Sequence, residues 1–400
     1  MARDVWITGI GLVSSLGEGI DRHWAALAGA ERPQPVLDRD AMPPYTIHPL
    51  VTLDLDRQIP KRADQRQMEE WQSVGTYAAG LALDDAGIAG DLPLLAKTHA
   101  IVAGDGGARD VAADGGILAG LRNAAVPGGF LNERLAEDLR PTLFLAQLPN
   151  LLAGNISIVH NVTGSSRTFM GEEIAGVSAV EIAAKRIAAG QGDIFLVGGA
   201  FLSERRDVAV HYALGGRLWA GDPVPVWARA EAGGGVAFGS AGAFLVLEAR
   251  SHAEARDRRA YARVEAVMTD QSRRGPGDVV AILERQFDTI APSGAAPLAV
   301  LSGVTGIATA TREEHGLLAR LIATGRVATV RAAANAIGSL SSATFPALAG
   351  LAALALSRGG FYAPLDGGDL ERPMATAPSR IAVTTVGIWR GEGLGLFTAV

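Results

Sequence analysis

The chain has 400 residues, 48% of them apolar, a formal net charge of −6 and no cysteine. That is enough apolar material for one large globular domain or two moderate ones, and the acidic balance argues against nucleic acid as the main partner, because phosphate binding draws on clustered Lys and Arg. The missing thiols exclude disulfides, thiolate metal sites and every mechanism that needs a cysteine nucleophile.

Short runs rich in Val and Ile alternate with longer Ala-rich stretches, the pattern of an α/β protein with buried strands. "DVWITGIGLV" reads as a strand and a glycine turn, without the basic leader and apolar run of a signal peptide, so a cytoplasmic protein is expected. The following "GIGLVSSLG" has Ser14 where a dinucleotide loop would carry its third glycine, and reads as a tight turn. Lys61, Arg62 and Arg66 form a small basic cluster, either a solvated face or a dock for an acidic partner. A helix is expected over Gln67 to Ala86, then a strand in "HAIVAGDGG", and a further strand over Asn155 to Val162, where Ile156, Ile158 and Val162 alternate.

"RTFMGEEIAG", residues 167–176, turns at Gly171 into a helix expected over Glu173 to Ala189. Glu181 and Lys185 make an i,i+4 surface pair there, while Ile174, Val177, Val180, Ala184 and Ile187 can face the core. Ser165 and Ser166 belong to no G-x-S-x-G elbow. "DIFLVGGAFL", "GAFLVLEA", "YARVEAVMT", "PLAVLSGV" and "RIAVTTVGIW" read as strands, with helices over Arg312 to Ala323 and Ala343 to Ser357. The run from Phe345 to Leu356 is too short to span a bilayer and reads as a buried helix. Gly171 to Gly190 and Ser339 to Gly360 look like faint copies of each other, and the polar stretch Arg250 to Arg263 is the candidate boundary between a half at 1–250 and a half at 251–400. Of the seven histidines, His315 reads as solvated, His160 and His211 could approach a pocket, and no pair has metal spacing.

Four stretches carry a family resemblance: "RDVWITGIGLVSSLGEGIDRHWAALAGAERP", "LPNLLAGNISI", "AAKRIAAGQGDIFLVGGA" and "GGVAFGSAGAFLVLEARSHAEARDRRAYARV". Together they resemble the β-ketoacyl-acyl-carrier-protein synthases, condensing enzymes of the thiolase fold, over nearly the whole chain. The resemblance implies two similar halves, each a mixed five-stranded sheet with helices on both sides in an αβαβα layering, and a tight dimer pairing the strand at Asn155 to Val162 across a two-fold axis. It implies no cofactor and no metal, and a cysteine at a helix N-terminus working with two histidines and a lysine.

Carried over residue by residue, the nucleophile position falls on Glu173, the first histidine on Gly303 with Thr305 and Glu314 as landmarks, the second histidine on Ser339 after Gly338, and the lysine on Ala334. None of the four can perform the family's chemistry. The expected function is a non-catalytic homologue that pairs with an active ketosynthase and shapes its acyl cavity, in the manner of a chain-length factor. Two alternatives stand beside it: an acyltransferase or decarboxylase using Glu173, or a homodimer that binds acyl chains or acyl carrier protein without chemistry. Glu173 itself can be read as a carboxylate favoured by the helix dipole, as a charged plug of the acyl position, or as an acid or base.

Overall fold

The described residues of the computed structural model are 3–29, 31–140, 143, 147–292 and 296–400. The strands are β1 (Val5–Ser14), β2 (Gly17–Glu18), β3 (Asp38–Met42), β4 (Tyr45–Ile47), β5 (His99–Gly104), β6 (Ser166–Met170), β7 (Ile194–Phe201), β8 (Ala241–Ala249), β9 (Ala262–Asp270), β10 (Leu298–Gly303), β11 (Val327–Ala332), β12 (Arg380–Val386) and β13 (Glu392–Thr398). The helices used below are α1 (Glu70–Asp85), α2 (Val111–Leu121), α3 (Pro127–Asp138), α4 (Leu151–His160), α5 (Glu173–Ala188), α6 (Arg206–Leu214), α7 (Asp278–Ile290), α8 (Ala308–Ala323) and α9 (Thr344–Arg358).

Ten strands make one sheet in the order β11-β10-β12-β13-β9-β1-β8-β7-β5-β6, with β2 attached to β1. The order contains the same motif twice. β5 runs parallel to β6 and β7, and β7, β8 and β1 follow antiparallel. β10 runs parallel to β11 and β12, and β12, β13 and β9 follow antiparallel. The two five-stranded halves join only where Val5–Ile7 pair with Ala262–Val264. At one end of the sheet β11 is covered, since Val330 N–H donates to the Leu370 carbonyl and the Thr329 hydroxyl to that of Arg372. At the other end, among the described residues, no strand lies outside β6.

Three large apolar cores and one small one, around Val226 and Val304, lie among the described residues. α1 and α4 cover one face of the first half, and α7 and α8 cover one face of the second. Between the halves lie α5 and α9, each following the edge strand of its own half, in the largest core. The faint sequence copies are these two helices. β1, β7 and β8 are buried along their whole length, as strands covered on both faces must be. α9 is buried from Thr344 to Leu356, and Pro346 is tolerated because it sits in the first turn, where its missing N–H has no intrahelical acceptor.

One strand expectation fails. Asn155 to Val162 is not a strand: Leu151–His160 is helical, burying Leu152, Ala153 and Ile156 at helical spacing while Ile158 points to solvent. The edge strand is instead Ser166–Met170, so no pairing across a two-fold axis can run through residues 155–162. In α5, Ile174 and Ala184 are only partly buried, whereas the Glu181–Lys185 pair forms at 2.6 Å. No described helix is long and apolar enough to cross a membrane.

α5 approaches α9 closely because position 176 has no side chain. A Cβ on Gly176 would meet the Ser342 carbonyl oxygen at 2.4 Å and Pro346 Cδ at 2.9 Å. Gly176→Val is therefore expected to cost about 1–3 kcal/mol through overpacking, read as a lower midpoint in thermal unfolding. An unchanged midpoint would show that the two helices can separate freely.

Candidate functional site

β6 ends at Met170, Gly171 makes the turn with φ 143°, and α5 begins at Glu173 with Glu172 as its N-cap residue. The N-terminus of α5 is shut in by two loops. Gly387 and Ile388, after β12, lie against the Glu173 carboxyl: Ile388 N–H donates to Oε2 at 3.3 Å. The segment Ser341–Thr344, which leads into α9, supplies the carbonyl under Gly176. Glu173 is fully buried, Oε1 has no hydrogen-bond partner, and no cation pairs with it among the described residues. Burial pushes its pKa up to about 8, against the opposing pull of its own backbone N–H and that of Ile388. At neutral pH this favours the protonated acid. The charged plug and the helix-dipole carboxylate of the sequence reading both need the ionised form, which burial disfavours.

A second buried acid faces the same space. Asp105 follows β5, accepts a hydrogen bond from the Ser341 hydroxyl at 3.0 Å, and leaves Oδ2 without a partner. Burial raises its pKa to about 7, with the charge of nearby Glu172 adding in the same direction. Arg205 does not neutralise the pair directly: it is bound to Asp207 at 2.6 Å and donates to the carbonyls of Gly106 and Gly107, holding the loop after Asp105 in place. Tyr212 closes one side. Its phenol is driven well above the ordinary value by burial first and then by Glu173, and its ring stacks on Trp389 at 5.8 Å.

Outside Glu172 a cleft of about 290 Å³ opens, walled by Asp105, Gly171, Arg205, His211 and Tyr212. Of the histidines singled out from sequence, His211 reaches this cleft. His160 is committed elsewhere, bonding the Thr76 carbonyl at 2.9 Å, and His315 packs edge-on to Trp227. Ser165 pairs with His99 Nδ1 at 2.8 Å, but the same nitrogen accepts the Ser165 backbone N–H, and no carboxylate among the described residues orients the ring.

The positions carried over from the resemblance distribute as follows. Gly303 ends β10 with no room for a side chain: a Cβ there would meet Thr344 Cγ2 and the Thr384 carbonyl at 2.9 Å. Glu314 fixes that strand end, accepting hydrogen bonds from Ser302 at 2.8 Å and Thr384 at 2.6 Å. Ser339 is buried, its backbone bridging Ala237 and Gly239, and its hydroxyl has no partner. The segment Ser339–Thr344 therefore links Ser339, the packing around Gly303 and the N-terminus of α5. Ala334 stands apart, in the wall of a different cleft. Asp105, Tyr212 and Trp389 were not foreseen from sequence. The only trace was that Asp105 directly follows a buried strand, where open α/β sheets place ligand contacts.

The buried acid leaves a mark on stability. Folding raises the Glu173 pKa from an ordinary 4.5 to about 8, so between those values the folded state holds a proton that the unfolded state has lost, and stability falls as pH rises through that window. Glu173→Gln removes this dependence. The melting-temperature advantage of Glu173→Gln over the parent is expected to widen from pH 5 to pH 8; a gap independent of pH would mean that the carboxyl is ionised when folded.

Residues 2–253 match the N-terminal domain of beta-ketoacyl synthases. The 3-oxoacyl-[acyl-carrier-protein] synthase 2 of Vibrio harveyi is 24% identical over 295 residues, covering 70% of this chain and 68% of the relative. The protein of that name from Rhizobium meliloti (strain 1021) is 26% identical over 207 residues, covering 49% and 46%. Among solved structures, a beta-ketoacyl synthase from Burkholderia phymatum STM815 superposes with a TM-score of 0.79 at 20% identity, and the ishigamide ketosynthase/chain length factor with 0.78 at 18%, each covering 100% of both chains. A type II polyketide ketosynthase in complex with its acyl carrier protein gives 0.72 at 14% identity, again over 100% of both chains. The structural likenesses establish the thiolase fold, and with the family domain matching more than half of its residues, the chain belongs to the beta-ketoacyl synthase family.

Proposed function

We propose that this chain is a non-catalytic member of the family that pairs with a catalytically competent ketosynthase and lines part of the cavity in which the acyl chain grows. The observation that carries the reading is the state of position 173. Where the resemblance puts a thiolate, the chain has a fully buried carboxyl that burial keeps protonated, a poor nucleophile and no base. Gly303 and Ser339 supply no imidazole to stabilise a developing enolate or oxyanion. The carboxyl instead occupies the space beside the Ile388 amide, so an acyl carbonyl cannot reach that donor.

The surface supports a partner. Leu118 on α2, Val126 beside α3 and Leu135 on α3 are 63%, 70% and 41% exposed, and Ile158 and Met170, near and on the open β6 edge, are 66% and 69% exposed. Apolar side chains exposed next to an unpaired strand mark an association surface. A chain-length-factor role accords with the ketosynthase/chain length factor found among the structural likenesses. The exposed Lys61, Arg62 and Arg66 suit an acidic carrier protein, which would bring malonyl and acyl groups to the active partner.

Two experiments test the reading. Incubated with acyl and malonyl carrier protein, the parent is expected to gain no acyl mass and to form no 3-oxoacyl product. Glu173→Cys is expected to accept an acyl group yet still give no condensation; robust turnover by this single variant overturns the placement of the imidazole positions. Co-expression with a cysteine-containing ketosynthase encoded beside it, followed by native mass spectrometry, is expected to yield a one-to-one heterodimer whose product length differs from that of the ketosynthase alone. Homodimers only, with unchanged products, would favour a carrier-binding homodimer.

A further inference from the structure

A second cleft, of about 300 Å³, shares no lining residue with the one beside Glu172. Its walls come from the N-terminal loop near Arg32, the strand and loop at Thr46–His48, the stretch Trp219–Arg229 and the start of the short helix at Ala334. The walls are mostly apolar, and the polar groups among them are few and unusual.

Arg229 is 97% buried by its 3% exposure, and its environment offers almost nothing for a guanidinium. Nη1 donates to the Gly235 carbonyl at 3.3 Å, and Nε has no partner. Among the described residues no carboxylate pairs with it; burial alone lowers its pKa to about 10, leaving it charged at neutral pH. His48, also 3% exposed, is pushed down to about 3 by burial and then by Arg229, so it is a neutral imidazole and adds no second charge. Thr46 Oγ1 is buried without a partner. The nearby carboxylate Asp366 is engaged by the Asn335 amide at 2.9 Å, and the other end of that amide accepts from Val226 N–H at 2.7 Å. A buried cation with no counter-charge is unfavourable unless something supplies one.

We propose that this cleft binds a small apolar carboxylate, its head on Arg229 and Thr46 and its body along Leu37, Val224 and Leu365. The buried guanidinium of Arg229 and the Thr46 hydroxyl match a carboxylate head, the exposed Arg32 in the same lining adds attraction for an anion, and the apolar walls favour an apolar body over a bare inorganic anion. The site stands independently of the proposed pairing with a ketosynthase, because none of its residues borders Glu173 or the β6 edge.

The test uses the whole chain and octanoate as probe, followed by calorimetry. Octanoate is expected to bind at one site at least tenfold more tightly than octanamide or inorganic phosphate, and Arg229→Met to weaken it at least tenfold, with Arg229→Lys recovering part. Hydrogen exchange should slow at residues 219–230 on binding and not at 205–212. Should Arg229→Met fail to fold, Thr46→Val and the ligand series on the parent protein decide. Equal affinity for octanamide, preference for phosphate, no saturable binding, or protection confined to 205–212 would each overturn the proposal.

Discussion

The structure turns on the contact between α5 and α9, where the Ser342 carbonyl sits where a Gly176 side chain would be. Two helices from two copies of one motif meet there, and the close approach closes the N-terminus of α5 on one side while the Gly387–Ile388 loop closes it on another. Any side chain at position 173 is consequently held in a dry place lined with backbone amides. Such a place suits a group that gains from losing its proton only if the charge is fully stabilised; the two backbone amides, of Glu173 itself and of Ile388, do not offset the desolvation of a carboxylate. The same architecture that could activate a thiol therefore neutralises an acid.

That neutrality organises the surroundings. Glu173 and Asp105 both hold their protons more tightly than free carboxyls do, chiefly through burial, and Tyr212 beside them keeps its own more tightly still. Burial biases all three groups toward their protonated forms, and the one imidazole nearby, His211, packs against the Tyr212 ring. Tyr212, stacked on Trp389, and the Arg205-anchored loop wall the cleft beside these groups.

Much of this was legible in the residues. Seven of the strands and the four long helices announce themselves by apolar runs and periodicity, and the strand-to-helix turn that the sequence put ahead of Glu173 is present, with the helix starting at Glu173. The misreading at 155–162 arose because Ile156, Ile158 and Val162 alternate as in a strand, whereas Leu152 and Ala153 one turn earlier set a helical phase that the short window left out. β13 escaped notice for a different reason. Gly393 and Gly395 weaken its strand signature, yet both are needed, since a Cβ at either would strike Val177 of α5 or Phe345 of α9 within 2.7 Å. The site partners Asp105, Tyr212 and Trp389 come from three separate elements, and only the folded topology puts them together.

The unequal ends of the sheet carry a consequence for assembly. The β11 end is sealed by the chain around Leu370–Arg372, and at the β6 end no further strand follows among the described residues. A ribbon that can be extended at both ends polymerises; one that can be extended at a single end stops as soon as that end is met by another like it. Strand addition therefore has one starting point among the described residues, β6, and a second copy joined there edge to edge would leave no edge on which a fibre could grow.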